Sequence, residues 1–328
     1  MARDEAVEHS PWTRFRHAAA ALKARRPLWI AIQVFVVAAL LGAMAWAVRG
    51  AWDDALPRLR DAKPLELAVA LLVLTAYYLL FVVGWLWILR AYGVRTPYRT
   101  ALQAEMVSML AKYIPGGVWT PAARVVALRR AGVDNTPLVL ASVLLEAGLS
   151  AVAGVLVFVV SLATVGSVDA PLLPLVLFGL VILVLMHPRV FGPVAARLLR
   201  PFGSVDLPPL RWRTLVGLLV YYSFTWVIGG AALLFLLRSL GGDPAWSTIA
   251  YLGGISAVGA IVSVLAVFAP SGLGVREASM YGLLLAVVPS GVALGATVLN
   301  RLAITIVEAA LLFAGGLFWR LRRAFARQ

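Results

Sequence analysis

The chain has 328 residues, of which 62% are hydrophobic and only 13% are charged, and its mean hydropathy is +0.91. A typical soluble domain is about 25% charged, so this composition excludes a water-soluble enzyme, a secreted disulfide scaffold and a disordered protein. The net charge is +14, and cysteine is absent, which excludes disulfides, thiolate nucleophiles and cysteine-based metal sites. The sequence therefore predicts an all-α polytopic membrane protein.

Six long apolar stretches are predicted to cross the bilayer, because a transmembrane helix needs about 20 apolar residues. They are residues 28–48, 65–89, 137–165, 171–186, 214–237 and 291–319, the fourth being near the short limit. We predict a basic tail at 1–27 without a cleavable signal, a single transmembrane domain at 28–319 and a second basic tail at 320–328.

Two further apolar segments, residues 98–131 and 246–289, are interrupted by proline and glycine. The first breaks at Pro115-Gly116-Gly117, and the second breaks at Pro270-Ser271-Gly272-Leu273-Gly274. Such a break leaves backbone polar groups without partners, so it cannot face lipid. Each segment is predicted to be either a re-entrant hairpin or a pair of spanning helices, and the sequence leaves both possibilities open.

The distribution of basic residues predicts the orientation. With the N-terminus in the cytoplasm, twenty Lys and Arg residues fall in the cytoplasmic tails and loops, against five in the external loops. This ratio follows the positive-inside rule, so both termini are placed in the cytoplasm. Basic residues at these positions also suit contacts with anionic lipid, and no nucleic-acid partner is expected.

The two halves of the chain are similar to each other. Residues 65–165 and 214–319 each contain a long helix, a Pro/Gly break and a later helix with a membrane-embedded glutamate, Glu146 or Glu308. By the charge count, the two units enter their breaks from opposite sides. The sequence thus predicts an inverted-topology repeat, which in membrane transporters places a substrate site near the midplane between the units.

The candidate substrate-binding residues are polar, charged or conformationally special residues at and beside the two breaks. They are Lys112, Tyr113, Pro115, Gly116, Gly117, Trp119, Arg124 and Glu146 in the first half, and Pro270, Ser271, Gly272, Gly274, Arg276, Glu277, Arg301 and Glu308 in the second. Basic residues beside both breaks suit a phosphate headgroup, which arginine binds through bidentate hydrogen bonds. The alternative is that these charges, with Glu105, form buried ion pairs that hold the two units together.

Spacing along the helices adds one expectation. Arg301 and Glu308 are seven residues apart, as are Glu105 and Lys112, so each pair is predicted to share a helix face. The three histidines do not cluster, and neither break has the glycine spacing of a nucleotide-binding loop. No metal and no cofactor are therefore expected.

The motifs around the breaks carry a family resemblance. The two main motifs are Lys112-Tyr113-Ile114-Pro115-Gly116-Gly117-Val118-Trp119 and Pro270-Ser271-Gly272-Leu273-Gly274-Val275-Arg276-Glu277-Ala278. They are accompanied by Arg124, Arg129-Arg130-Ala131-Gly132-Val133 and Asn300-Arg301. Together these residues resemble the motifs of the lysylphosphatidylglycerol synthase transmembrane-region family. This is the flippase-like domain of multiple-peptide-resistance proteins, and the resemblance covers roughly residues 28–320. It implies a domain that moves an anionic, aminoacylated or polyprenyl-phosphate-linked lipid between leaflets of a bacterial cytoplasmic membrane.

Three functions follow as hypotheses. The first is a lipid flippase without covalent chemistry, in which Lys112, Arg124, Arg276 and Arg301 hold the headgroup, and Glu146 and Glu308 balance charge or couple transport to protons. The second is a glycosyltransferase that uses a polyprenyl-phosphate sugar, with Asp53-Asp54 as its acidic pair. The third is a non-catalytic scaffold for an envelope-biosynthesis enzyme. Because only nine residues follow Trp319, lipid aminoacylation is not expected, and the oligomeric state is left open.

Overall fold

The structure is a computed structural model that describes residues 49–111, 119–165, 172–203, 207–266 and 269–325, together with positions 35, 38, 42 and 46. The predicted span at 28–48 lies almost entirely outside these ranges, as do both predicted tails apart from residues 320–325. The break at Pro115-Gly116-Gly117 also lies outside them.

The regular structure of the described residues consists of helices, without strands. The α-helices are α1 (Arg49–Arg60), α2 (Pro64–Ala91), α3 (Tyr98–Ala111), α4 (Trp119–Arg130), α5 (Thr136–Ser161), α6 (Leu172–Leu185), α7 (Pro188–Leu199), α8 (Trp212–Ser239), α9 (Ile249–Leu265), α10 (Val275–Leu284) and α11 (Ser290–Phe325). Short 3-10 turns lie at Leu162–Thr164, Arg200–Phe202, Trp246–Thr248 and Pro270–Gly272.

Five helices of the described ranges are long and apolar enough to cross a membrane: Pro64–Ala91, Thr136–Thr164, Trp212–Ser239, Trp246–Leu265 and Ser290–Gly315. The chain is therefore an all-helical, multi-pass membrane protein. Four of these helices coincide with predicted spans. The fifth, Trp246–Leu265, was assigned from the sequence to one arm of the second broken segment, and its 20 residues suffice for a span of its own.

The predicted span at 171–186 is shorter than expected. Helix α6 has 14 residues, and the chain then bends by 84° into the helical stretch Pro188–Phe202. The bend falls at His187, whose backbone is extended (φ −60°, ψ 136°) because proline follows it. Helix α6 counts as a membrane span only together with the helix beyond the bend.

Helices α5, α8 and α9 cross at unusually short distances, and glycine makes these crossings possible. A Cβ atom on Gly230 of α8 would lie 2.1 Å from the backbone oxygen of Ile249, and one on Gly253 of α9 would lie 2.4 Å from that of Trp226. Between α5 and α9, Gly154 meets Ala257 in the same way, with a Cβ–Cβ separation of only 2.4 Å. Small residues at helix crossings are the usual means of close packing in membranes.

Substitution of Gly253 by alanine is expected to destabilise the protein by about 1–3 kcal/mol, the range for overpacked cores, since the clash is with backbone that cannot rotate away. Gly282 of α10 is the matched control because a Cβ there meets nothing within 4 Å. Thermal unfolding of the two variants in the same detergent should separate them clearly. Equal melting temperatures for Gly253→Ala and Gly282→Ala would contradict the close crossing.

The two halves have the same order of elements. In the first half, α2 (28 residues) leads through α3 to a break, then to the 12-residue α4 and to α5. In the second half, α8 (28 residues) leads through α9 to a break, then to the 10-residue α10 and to α11. Helices α3 and α4 pack against each other, as do α9 and α10. The inverted relation between the halves stays a prediction.

Candidate functional site

The charged residues of the first half form a buried triad, in which Arg124 of α4 makes ion pairs with Glu105 of α3 and Glu146 of α5. The three side chains are 6%, 1% and 3% exposed, respectively. Arg124 thus connects three helices, and its side chain is almost fully buried. The buried ion pairs anticipated as an alternative to substrate contacts are present at this position.

Uncharged side chains complete the surroundings of Arg124. Its Nε donates a hydrogen bond to the Ser108 hydroxyl at 3.3 Å, and its guanidinium lies over the Trp85 ring of α2, 4.6 Å from the ring centroid. The Trp85 indole N–H in turn donates to Ser142 of α5 at 3.0 Å. A cation above an aromatic face is stabilised by the ring quadrupole, so α2 also binds the triad.

A fifth helix, α8, contributes Tyr222 to this cluster, beside the residues from α2, α3, α4 and α5. Its side chain is fully buried, packs against Gly84 and lies beside the Glu146 carboxylate. The Tyr222 hydroxyl and Glu146 Oε1 are both buried, and neither makes a hydrogen bond with another described residue. Buried polar atoms without a partner are rare, and they frequently occur at functional sites or where a water molecule or an ion is bound.

The second break is held by its own charged residues. Ser271 has a left-handed backbone (φ 53°), and Gly272 and Gly274 also have positive φ. A Cβ on Gly272 would lie 2.0 Å from the Ser263 hydroxyl, so only glycine fits this turn. The turn lies between the end of α9 at Leu265 and the start of α10 at Val275.

Glu277 and Arg301 stabilise this turn from opposite sides. Glu277 accepts a hydrogen bond from the Gly274 backbone N–H at 2.7 Å and pairs with Arg301 of α11 at 3.3 Å. Arg301 also donates to the Ser271 carbonyl at 3.3 Å. Of the predicted candidates in the second half, Ser271, Gly274, Glu277 and Arg301 are therefore brought together, in a role that supports the backbone of the break.

Glu308 lies elsewhere on α11, where its Oε1 accepts a hydrogen bond of 2.7 Å from the Tyr78 hydroxyl of α2. Both side chains are buried. The polar contacts seen for Arg301 and Glu308 thus come from different helices, although the two residues share a helix face by spacing. Glu308 connects the last helix of the second half to the first helix of the first half.

Arg276 differs from the other intramembrane arginines. It is half-buried at the start of α10, and within the described part of the chain its side chain makes neither a hydrogen bond nor an ion pair, whereas its backbone carbonyl accepts a hydrogen bond from Ser279. Its side chain passes Gly259 of α9 and lies within electrostatic range of Tyr77 and Tyr78. A cation at bilayer depth normally has a partner, so Arg276 is a candidate for contact with a charged ligand.

Tyr77 of α2 connects the two clusters. The charges that interact with its hydroxyl come from both halves: Arg276, Glu105, Glu146 and Glu308. The neighbouring Tyr78 binds Glu308 directly. Ionisable groups of both halves therefore lie within electrostatic range of this pair of tyrosines.

Cavities lie away from this region. Two cavities of about 460 Å³ each flank the bend between α6 and α7, and their walls contain none of the predicted substrate-binding residues. The charged groups are instead packed within the helix bundle.

Several predicted residues are not brought into these clusters. Lys112, Tyr113, Pro115, Gly116 and Gly117 lie outside the described ranges. Trp119 begins α4 and is 44% exposed. Tyr77, Tyr78, Trp85 and Tyr222 were not predicted, because an aromatic residue inside a long apolar helix gives no sign in the sequence that it contacts a charge.

The chain was compared with known families and curated proteins. Residues 29–311 match the family described as the lysylphosphatidylglycerol synthase TM region. The chain belongs to this family. The match covers both breaks and all the charged residues described above, which confirms the resemblance stated from the motifs. No curated protein matches the chain.

Membership of the lysylphosphatidylglycerol synthase transmembrane-region family associates this chain with membrane lipid. The intramembrane charges of Arg124 and Arg276 therefore lie inside a member of a membrane-lipid family. The chain is therefore a multi-pass membrane protein with a role related to membrane lipid.

Proposed function

We propose that this chain is a lipid flippase, which moves a lipid with a phosphate-containing headgroup between leaflets without covalent chemistry. The observation that supports the proposal is that charged groups from both halves lie within electrostatic range of Tyr77, including Arg276, whose side chain makes no ion pair with any described residue. Ionisable residues inside a membrane protein normally mark the path of a substrate or an ion.

The substrate class follows from the charges available. Arg276 suits a phosphate, which a guanidinium binds through two charge-assisted hydrogen bonds. The buried carboxylates Glu146 and Glu308 suit a cationic amino group on the same headgroup. An anionic, aminoacylated or polyprenyl-phosphate-linked lipid is therefore proposed, with its acyl chains remaining in the bilayer while the headgroup crosses.

The proposed setting is the cytoplasmic membrane of a bacterium, with both termini in the cytoplasm. The two halves would alternately open the charged region toward each leaflet, as expected for inverted repeats. In this scheme, the Arg301–Glu277 pair keeps the second break folded while Arg276 contacts the headgroup. A partner enzyme of envelope biosynthesis is compatible with this role.

Reconstitution in liposomes tests the proposal. Vesicles containing the protein and a trace of fluorophore-labelled phosphatidylglycerol or polyprenyl phosphate are treated with an impermeant quencher. We expect the protected inner-leaflet fraction to become accessible faster than in protein-free vesicles for at least one probe. Protein-free rates for every probe, together with only bulk lipid in native mass spectra, would favour the scaffold hypothesis.

The glycosyltransferase and flippase hypotheses predict different effects of substitution at the acidic pair Asp53-Asp54. Asp53 and Asp54 lie on helix α1, where Asp54 pairs with Arg58 at 3.3 Å and contacts Gly291 at the start of α11. For a flippase, the Asp53→Asn/Asp54→Asn double variant should retain lipid translocation within about twofold, since surface ion pairs contribute little. Loss of function in cells with normal protein levels would favour the enzyme.

A further inference from the structure

The chain changes in character at the bend between α6 and α7. Helix α6 has no charged residue, whereas the stretch that follows, residues 187–213, contains five arginines and one acidic residue. Trp212, which begins the spanning helix α8, is exposed. Arginine and exposed tryptophan at the ends of apolar helices are typical of the boundary between lipid hydrocarbon and headgroups. We therefore assign this boundary to the bend.

Helix α7 is amphipathic, and the 84° bend sets it across the axis of α6. Its buried residues Phe191, Ala195 and Leu199 are four residues apart and pack on the bundle. Val194 and Leu198, beside them on the helix, continue the apolar face but are exposed. By spacing, both arginines of α7 lie on the opposite side of the helix. A helix with these two faces, nearly perpendicular to a neighbouring span, is typical of the membrane interface.

One of the two cavities at the bend is apolar. It has a volume of about 460 Å³ and is lined by residues of α5, α6, α7 and α8, among them Leu149, Val184 and Leu219. His187 and Trp212 are the lining residues that carry a polar group. The volume lies within the range of about 300–1,000 Å³ that is usual for ligand sites. Because apolar cavities do not hold water well, hydrocarbon is the filling that suits this one.

Positive charge lies beside the same cavity. Arg189 follows His187 by two residues, and Arg211 and Arg213 flank Trp212. All three arginines are exposed, and their side chains make no ion pair with a described residue. His187 Nδ1 accepts a hydrogen bond of 3.3 Å from the Arg189 backbone N–H, which leaves Nε2 as the nitrogen that can donate. The described residues that line the two cavities at the bend include no acid.

We propose that the bend binds one anionic phospholipid, with an acyl chain in the apolar cavity and its phosphate near Arg189, Arg211, Arg213 and His187 Nε2. By the charge count, the bend faces the cytoplasm, where the membrane surface is negative. The site is separate from the headgroup path, since its walls contain none of the substrate-binding candidates. The bound lipid fixes α7 against α5 and α8. This inference does not rest on the flippase function, because an enzyme or a scaffold could use the same lipid.

Native mass spectrometry in detergent tests the site. The protein is incubated with phosphatidylglycerol or with phosphatidylcholine of the same acyl chains. The Arg276→Gln variant is used as the background, so that lipid at the proposed headgroup site does not contribute. We expect phosphatidylglycerol to be retained about tenfold more strongly than phosphatidylcholine, because basic residues near a headgroup favour negative charge.

Two tryptophan substitutions on α8 test the position of the acyl chain. Val216 lines the apolar cavity, and Val216→Trp should fill it and abolish the retained phosphatidylglycerol. Val220 is also exposed but lies one turn further along the helix, outside the cavity wall. Val220→Trp is therefore the matched control and should retain the lipid. If Val216→Trp does not fold, Leu183→Trp on the α6 wall serves instead.

A second matched pair tests the phosphate contacts. Arg211→Gln/Arg213→Gln should weaken phosphatidylglycerol binding about tenfold and bring it close to that of phosphatidylcholine. Arg129→Gln/Arg130→Gln removes the same charge from exposed positions at the end of α4 and should change binding by less than about twofold, since salt screens distant charges. Equal effects of the two double variants would overturn the assignment of the phosphate to the bend.

The remaining outcomes separate this site from the flippase proposal. Equal retention of both lipids by the starting protein, or unchanged retention in Val216→Trp, overturns the lipid site even if the protein translocates lipid. Loss of a dimer in Val216→Trp without loss of lipid also overturns it, because the cavity would then be covered by a second copy of the chain. Selective, Val216-dependent retention in a protein that does not translocate lipid supports the site, and the flippase proposal is then the one that fails.

Discussion

Replacement of Arg124 by glutamine is expected to lower the unfolding free energy by about 3–5 kcal/mol, or to prevent folding altogether. The arginine neutralises two buried carboxylates, stacks on Trp85 and connects helices α2, α3, α4 and α5. Its removal breaks both buried ion pairs at once. The measurements are the yield of monodisperse protein in detergent and its thermal unfolding.

A triple variant provides the control for this result. Glu105→Gln/Arg124→Gln/Glu146→Gln removes all three charges, and its two Glu→Gln changes keep the side-chain sizes, so it should recover most of the stability lost in Arg124→Gln. Replacing a whole buried ion cluster by neutral groups is often close to neutral, whereas breaking one is costly. If the triple variant were as unstable as Arg124→Gln, packing and not charge would be the main contribution of the arginine.

Replacement of Arg276 by glutamine is expected to have the opposite profile: little effect on folding and a large effect on transport. Because the Arg276 side chain has no ion pair or hydrogen bond among the described residues, its removal leaves no buried group without a partner. A charge-assisted hydrogen bond contributes about 1.5–3 kcal/mol, so translocation or headgroup affinity should fall about tenfold to a hundredfold. Flipping rates and retention of bound lipid are the measurements.

Two variants make this prediction specific. Arg58→Gln removes an arginine from a partly exposed ion pair on α1 and should leave translocation unchanged. Arg276→Lys keeps the charge but not the planar bidentate geometry, so partial activity is expected. If Arg276→Gln had normal expression and melting temperature and flipped lipid at the wild-type rate, the proposed headgroup site would not lie at the second break.

Much of the fold was predictable from composition and the length of apolar runs. The helices α2, α5, α8 and α11 each contain enough consecutive apolar residues to be recognised, and their ends lie within a few residues of the predicted bounds. The break at Pro270–Gly274 was predictable because proline and clustered glycines interrupt helices for local reasons. Two features were not predicted: that Trp246–Leu265 is long enough to span the membrane by itself, and that the chain bends after α6. Both depend on the residue at which a helix ends, which the apolar pattern does not indicate.

The candidate site was only partly predictable. Its charged members were evident, because a charge within an apolar segment is conspicuous. Their partners were not, because partner choice depends on how each helix is rotated about its axis. Spacing placed Arg301 and Glu308 on one face, yet Arg301 binds Glu277 and Glu308 binds Tyr78. Tyr222 is an ordinary residue of an apolar helix until the packing of α8 on α5 places it beside Glu146.

The close crossings at Gly154, Gly230 and Gly253 have a mechanical consequence. Helices whose backbones touch cannot slide or rotate past one another without first moving apart, so α5, α8 and α9 behave as one rigid frame. In the proposed transport cycle, we expect the displacements to fall on elements outside this frame, with the short helices α4 and α10 as the candidates. Glu146 belongs to the frame and Arg124 to α4, so movement of α4 would strain or break their ion pair.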